Sequence, residues 1–202
     1  MSAGGRDLGA SAGGVVAVLL NVAAVVFLQS VPHAYQPLEV NQWLAEVMAS
    51  PSATMGSAWS FTIGLGAMVP FAVGLHSRFS NRMVTAGASL IAVGALLNAA
   101  GTLAPIAALR VGSDVGHAML QLTLLLDSAF NFFLGVGILM ITIGARHQLP
   151  KVLVGLGVLA GVACLPVTFE FVSAGAARFL LVAGPLWLVW VTWLSVRLAR
   201  NE

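Results

Sequence analysis

The chain has 202 residues, of which 59% are hydrophobic and 8% are charged. A soluble domain carries roughly a quarter charged residues, so this composition excludes a soluble globular protein. The mean hydropathy of +0.97 indicates that lipid is the solvent. The pI of about 9.3 reflects arginines at helix ends rather than a basic patch, so we predict no nucleic-acid partner.

Charged residues divide the chain into long apolar runs. The runs 8–38, 47–77 and 83–109 contain no Asp, Glu, Lys or Arg, and the run 115–145 contains only Asp127. A helix needs roughly 20 apolar residues to cross the hydrocarbon core. We therefore predict a single all-α integral membrane domain over residues 1–202. Its six transmembrane helices are predicted near residues 12–31, 53–76, 83–106, 117–144, 151–170 and 177–198.

The loop between the first two spans has a helical pattern of its own. Val40, Trp43 and Val47 follow helical spacing, with Glu39 and Glu46 on the other face. This pattern predicts a short interfacial helix near residues 38–49, with Trp43 at the depth of the lipid headgroups.

The basic residues give the orientation. One side of the predicted topology carries most of them, and the other carries only Arg110 and Arg178. The positive-inside rule places the richer side, and with it both termini, in the cytoplasm. We expect that the first span is not cleaved off as a signal peptide, because Pro32 and His33 stand where a cleavage site needs small residues.

Glycines recur on two of the predicted helices. Gly87, Gly94 and Gly101 are seven residues apart, and Gly157 and Gly161 form a GxxxG pattern. Small residues allow helix backbones to approach closely in lipid. We predict that these faces pack within the chain; the alternative is a homo-oligomer contact.

Asp127 is the outstanding candidate for function. It lies about ten residues from the outer end of the fourth span, hence roughly 15 Å deep at the helical rise. A carboxylate at that depth costs at least a few kcal/mol, so it should be protonated, paired or facing a polar cavity. We select Asp127, Glu170 and Asn131 as candidate catalytic residues.

Other spans place polar side chains at a similar depth in the outer half. If they face inward, they line a pocket around Asp127. In such a dry pocket, two acids could perform acid–base chemistry on a small lipophilic molecule. The predicted ligand-binding residues are Asn21, Ser60, Asn98, Thr102 and Gln121.

Several alternatives stay open. An Asn on a neighbouring helix could hold Asp127 as interhelical glue, and for Glu170 we favour a structural ion pair with Arg178. The chain could be an accessory or assembly subunit of a membrane complex. It could also be an ion- or proton-coupled transporter, since Gly and Pro interrupt the middle helix of each half.

The sequence predicts no metal site and no cofactor. Cys164 is the only cysteine, so no Cys pair exists for zinc or an iron–sulfur cluster. The four histidines lie at helix ends or in loops, which is atypical of haem-binding bundles. Whether the chain is an enzyme is left open.

One pattern resembles a known family. Asp127-Ser-Ala-Phe130-Asn131, followed by Gly135, Leu149-Pro150 and the glycines of 155–161, resembles the bacterial membrane family called domain of unknown function 4386. The resemblance implies a six-helix fold and a location in the bacterial inner (plasma) membrane. It implies no activity.

Overall fold

The computed structural model describes residues 7–36, 39–111 and 113–200, and all regular structure in these ranges is helical. The helices are α1 (Leu8–Leu28), α2 (Val40–Ala49), α3 (Pro51–Phe79), α4 (Arg82–Gly101), α5 (Ala104–Ala108), α6 (Ser113–Gly144), α7 (Lys151–Val167), α8 (Ala174–Ala177) and α9 (Leu180–Arg200).

Five helical segments are long and apolar enough to cross a membrane: α1, α3, the α4–α5 segment, α6 and α9. The remaining predicted span corresponds to α7, which is apolar but has 17 residues. Large apolar side chains such as Leu19, Val73, Leu159 and Leu181 are exposed on the outside of the bundle. Soluble monomers rarely expose contiguous apolar surface on this scale, so the chain is a multi-pass membrane protein.

The long helices form a closed ring. In order around the ring they are α1, α3, α4, α6, α7 and α9, and α9 packs back against α1. The short helices α2 and α5 contact one another, α3 and α6, so they lie together at one end of the ring, which we call the α2 end. Large buried side chains from four helices fill the core, among them Phe71, Ile91, Leu134, Ile138 and Trp190.

Glycines set the spacing on both sides of α6. A Cβ atom on Gly87 would lie 2.6 Å from the backbone oxygen of Gly137, and one on Gly135 would lie 2.9 Å from that of Gly161. Real Cβ atoms essentially never come this close to backbone, so no larger residue fits without moving the helices. The predicted packing of the glycine faces within the chain is confirmed, with α4 on one side of α6 and α7 on the other.

The helix predicted in the first loop is present as α2, and its tryptophan faces protein. Trp43 is 2% exposed and packs with Val31, Val47 and Leu124 in a second apolar cluster at the α2 end. The placement of Trp43 at the depth of the lipid headgroups stays a prediction. The helical pattern identified the apolar face correctly, but it could not distinguish protein from lipid as the partner of that face.

Candidate functional site

Asp127 lies close to the midpoint of α6, on the face directed into the bundle. Leu120, Leu124, Leu134 and Ile138 share this face at intervals of three or four residues and are at most 2% exposed. Asp127 itself is half-buried. The helical period therefore points the carboxyl toward the interior of the ring.

Two amides hold this carboxyl. Asn98 of α4 donates an N–H to Oδ1 of Asp127 at 2.5 Å, and Asn131, one turn along α6, donates to Oδ2 at 3.0 Å. The bond from Asn98 also joins α4 to α6, so Asp127 has a structural role whatever else it does.

Glu170 provides a second carboxyl at the same place. It lies beyond the end of α7, in a turn that its backbone N–H closes on the carbonyl of Val167 at 2.9 Å. Glu170 is 0% exposed, and no N–H group of the described residues donates to either of its carboxyl oxygens. Burial, followed by the neighbouring Asp127 carboxylate, raises the pKa of Glu170 above its usual value. The two carboxyls are thus direct neighbours, and a side-chain hydrogen bond between them also contributes to the raised pKa of Glu170.

The predicted ion pair between Glu170 and Arg178 is wrong. Arg178 is exposed, and the free carboxyl oxygens of Glu170 show that it forms no bond to that acid. Glu170 turns inward because the chain after α7 folds over the bundle, whereas Arg178 stays on the surface.

Tyr35 is a member of the site that the sequence did not reveal. It lies in the loop after α1 with a φ of 62°, in the left-handed region that non-glycine residues rarely occupy. Its ring stacks on Trp43 at 5.3 Å between centroids and meets Phe61 edge-on at 6.3 Å. Burial, and then the charges of Asp127 and Glu170, raise the pKa of Tyr35 well above its usual value, so the phenol stays protonated. The only feature of the sequence that distinguishes Tyr35 is that it is the single tyrosine of the chain.

A small cavity lies under the loop that carries Tyr35. It measures about 20 Å³, and its walls include Tyr35, Trp43, Phe61 and Thr102. A cavity of this size has room for about one water molecule. Thr102 is fixed there by a 2.9 Å hydrogen bond to the hydroxyl of Thr62 on α3.

The structure brings together some of the predicted site residues and separates others. Asp127, Glu170, Asn131 and Asn98 form one cluster, and Thr102 lines the adjacent cavity. The other three have no contact with this cluster among the described hydrogen bonds. Asn21 donates to the carbonyl of Ala17 in its own helix, Ser60 is half-buried on α3, and Gln121 is exposed in a groove of about 490 Å³ beside Phe171.

The loop that carries Tyr35 is tied to α2 through a histidine. The backbone N–H of His33 donates to Oε2 of Glu46 at 2.9 Å, and its imidazole bonds to the other oxygen of that carboxylate. Nε2 of His33 lies 3.4 Å from the carboxylate of Glu39. The hydrogen bond to Glu46 raises the pKa of His33, opposed by its partial burial and supported by the charges of both acids.

Among the described residues, no group of three or more His, Cys, Asp or Glu side chains is placed to hold a metal ion. The cluster is therefore best described as a carboxyl pair. One member accepts hydrogen bonds from two amide N–H groups, and burial raises the pKa of the other. Two carboxyls in such different environments are an arrangement that acid–base chemistry can use.

No known protein family, curated protein or solved structure matches this chain. The function therefore has to be argued from the carboxyl pair and its surroundings.

We predict a pH-dependent loss of stability in a His33→Gln variant. Because the folded-state pKa of His33 is raised, its stabilising effect is complete below the ordinary value of 6.5 and declines as the pH rises through the folded-state pKa. The melting temperature of the variant should therefore fall below that of the wild type in mildly acidic buffer and approach it in alkaline buffer.

Glu46→Gln is the matched control, because it removes the partner and leaves the histidine. It should abolish most of the same pH dependence. An equal drop in melting temperature at acidic and alkaline pH would show that the ion pair does not hold the loop.

Proposed function

We propose that this protein binds a small amphipathic molecule in the membrane, with the polar end of the molecule at the Asp127–Glu170 carboxyl pair, and acts on it by acid–base chemistry. The amides of Asn98 and Asn131, which both donate to Asp127, would hold its carboxyl in place. Tyr35 would close the site over the bound molecule.

The observation that carries the proposal is the state of Glu170. A buried carboxyl whose oxygens accept no hydrogen bond costs free energy, and such groups in folded proteins call for an explanation. An alkyl side chain in the same turn would avoid that cost. A bound molecule with hydrogen-bond donors would supply the missing partners, which is why we assign Glu170 to a binding site.

The chemistry follows from the different protonation of the two acids. Ionised Asp127 accepts a proton from the bound molecule, and protonated Glu170 donates its proton to another atom of that molecule. The molecule then has the same number of protons as before, in a different arrangement. Return of the proton from Asp127 to Glu170 restores the pair.

Access would require movement at the α2 end. Glu170 is 0% exposed, and Tyr35, in the loop after α1, lies near enough to both carboxyls for their charges to raise its pKa. The contacts of His33 are with acids on α2 and lie near the surface, so they can open without disrupting the apolar core.

A specific observation favours a second candidate, an accessory or assembly subunit. Both carboxyl oxygens of Asp127 already have amide partners, and the small cavity that Thr102 lines has room for about one water molecule. In that reading the cluster only ties α4 to α6. The lipid-facing surface would then bind another membrane protein.

Mass spectrometry of small molecules extracted from gently purified protein separates the two candidates. We predict a specific molecule in the wild type that is lost from Asp127→Asn, because the variant removes the anion at the site. Gln121→Leu, which changes the exposed face of the same helix, should retain it. Only bulk lipid in all three proteins would contradict the proposed binding site.

We also propose that α7 crosses the membrane, giving six spans with both termini in the cytoplasm of a bacterial inner membrane. At about 1.5 Å per residue its 17 residues reach about 25 Å, near the lower limit for a span. Its place in the closed ring between α6 and α9 supports this. The family resemblance around Asp127 and Asn131 supports the bacterial location and is likewise a proposal.

Single cysteines on either side of α7 test the topology. In a Cys164→Ala background, a membrane-impermeant maleimide applied to intact cells should label Val172→Cys. Gln148→Cys should react only after the membrane is permeabilised. Both native positions are exposed, so accessibility within the protein is matched. Labelling of both from the same side would show that α7 does not cross.

A further inference from the structure

A groove between α3 and α4 opens on the outside of the ring, near the turn that joins these two helices. It measures about 300 Å³, which is within the usual range for small-molecule sites. Its apolar walls are formed by Ala72, Val73, Ala88 and Ala92. Val73 is 58% exposed, so the groove faces the surroundings of the bundle. In a membrane those surroundings are lipid, and an apolar groove there accommodates an acyl chain.

Polar side chains line the end of the groove nearest that turn. Nδ1 of His76 lies 2.9 Å from the hydroxyl of Thr85, and the same hydroxyl donates to the carbonyl of Asn81 at 3.0 Å. A hydroxyl has a single hydrogen, so Thr85 accepts its other bond from the Nδ1–H of His76. Nε2 of His76 is therefore the nitrogen that remains for a bound molecule. Ser89, one turn further along α4, adds a hydroxyl that bonds to no described residue.

A positive charge lies beside this polar end. Arg82 precedes Thr85 by three residues, so the two side chains share a face of α4. Arg82 is exposed and has no ion-pair or hydrogen-bond partner among the described residues. Neither α3 nor α4 contains Asp or Glu, so no acid of these two helices offsets the charge of Arg82.

Asp7, an acid at the same end of the bundle, lies on another face of α3. A Cβ atom on Gly74 would lie 3.0 Å from Oδ2 of Asp7, where α3 packs on α1. The other carboxyl oxygen of Asp7 accepts the backbone N–H of Ala10. Arg78, four residues after Gly74, shares that face of α3. The groove is therefore bordered by Arg82 and His76 rather than by this acid.

We infer that the groove binds an anionic phospholipid, with an acyl chain along the alanines and the phosphate at Arg82 and His76. A phosphate has oxygen acceptors and negative charge, and a guanidinium group can bond two of those oxygens in parallel. A phosphate beside His76 also favours protonation of the imidazole, which gives Nε2 an N–H to donate. Ser89, one turn deeper, is placed to donate to an ester carbonyl of the lipid.

This combination of features is specific to an anionic lipid. Basic pockets between transmembrane helices are a recognised kind of site for anionic lipid head groups. An uncharged lipid would leave Arg82 without a counter-ion, and a free phosphate would leave the alanine-lined part of the groove empty. The groove is separate from the carboxyl pair, so this inference goes beyond the proposed function and does not depend on it.

Another groove on the surface of the ring provides an internal comparison. It lies beside Phe171 and measures about 490 Å³, and Gln121 is the polar residue among those that line it. It is larger than the groove between α3 and α4 but has no charged side chain in its walls. We expect it to accept acyl chains without preference for the head group.

Native mass spectrometry of the full chain, released from a neutral detergent, tests the inference with three probes. Dioleoylphosphatidylglycerol is anionic, dioleoylphosphatidylcholine has the same chains without net charge, and glycerol 3-phosphate has the phosphate without the chains. The wild type should bind one molecule of the anionic lipid at least about fivefold more tightly than the neutral lipid, the ratio expected from one basic side chain. Glycerol 3-phosphate should not bind.

Two variants should close the groove from either side. Ser89→Trp on α4 and Val73→Trp on α3 replace exposed side chains, so neither change alters the core. Both should lose the preference for the anionic lipid, whereas Leu122→Trp in the other groove should keep it. Retention of the preference in Ser89→Trp and Val73→Trp would show that the lipid binds elsewhere.

A charge variant tests the place of the phosphate. Arg82→Gln should lower the affinity for the anionic lipid about fivefold and leave that for the neutral lipid unchanged. Arg146→Gln is the matched control, because it removes the same charge at the same end, where Asn81 donates to the carbonyl of Gly144. Its effect should be less than about twofold, since solvent screens a more distant charge.

Three results would overturn the inference. The first is an equal loss of affinity in Arg82→Gln and Arg146→Gln, which would indicate a general effect of surface charge. The second is equal affinity of the wild type for the two lipids. The third is binding of glycerol 3-phosphate as tightly as the anionic lipid, which would indicate a site for free phosphate.

Discussion

The structure depends on two carboxyl groups that lie together among apolar helices, with no cationic side chain bonded to either one among the described residues. Ionising both would place two like charges in a medium that screens them poorly. Amide N–H groups from Asn98 and Asn131 donate hydrogen bonds to both carboxyl oxygens of Asp127. Burial in the turn after α7 raises the pKa of Glu170, and no N–H group of the protein reaches its carboxyl oxygens. The proposed acid–base function depends on this difference between the two environments.

Close helix packing puts the pair in place. Asn98 lies on α4 between Gly94 and Gly101, both of which contact α6, so the backbones approach and the short Asn98 side chain can reach Asp127. On the other side, Gly161 contacts α6 at Gly135, which brings the end of α7 and the following turn over the same face. The glycines thus contribute to the site by allowing the helix backbones to approach closely, although none of them is among the polar residues of the site.

Much of the fold could be predicted from the sequence, and less of the site. The uncharged runs predicted the helices because lipid excludes charge, and depth along those runs placed Asp127 and Asn98 at the same level. Depth does not tell which way a side chain faces. In membrane helices both the lipid side and the interior are apolar, so the pattern could not show that Gln121 points outward. The sequence could not identify Tyr35, because a loop residue has no periodicity. Glu170 and Arg178 are close in sequence, but closeness in sequence does not establish contact between side chains.

Infrared spectroscopy of the carboxyl C=O stretch tests the unequal protonation of the pair most directly. At neutral pH we predict a band from a protonated carboxyl, shifted in heavy water, that disappears in Glu170→Gln and persists in Asp127→Asn. That result would establish Glu170 as the proton carrier beside an ionised Asp127. Absence of the band from the wild type, or its loss in Asp127→Asn with retention in Glu170→Gln, would contradict the account.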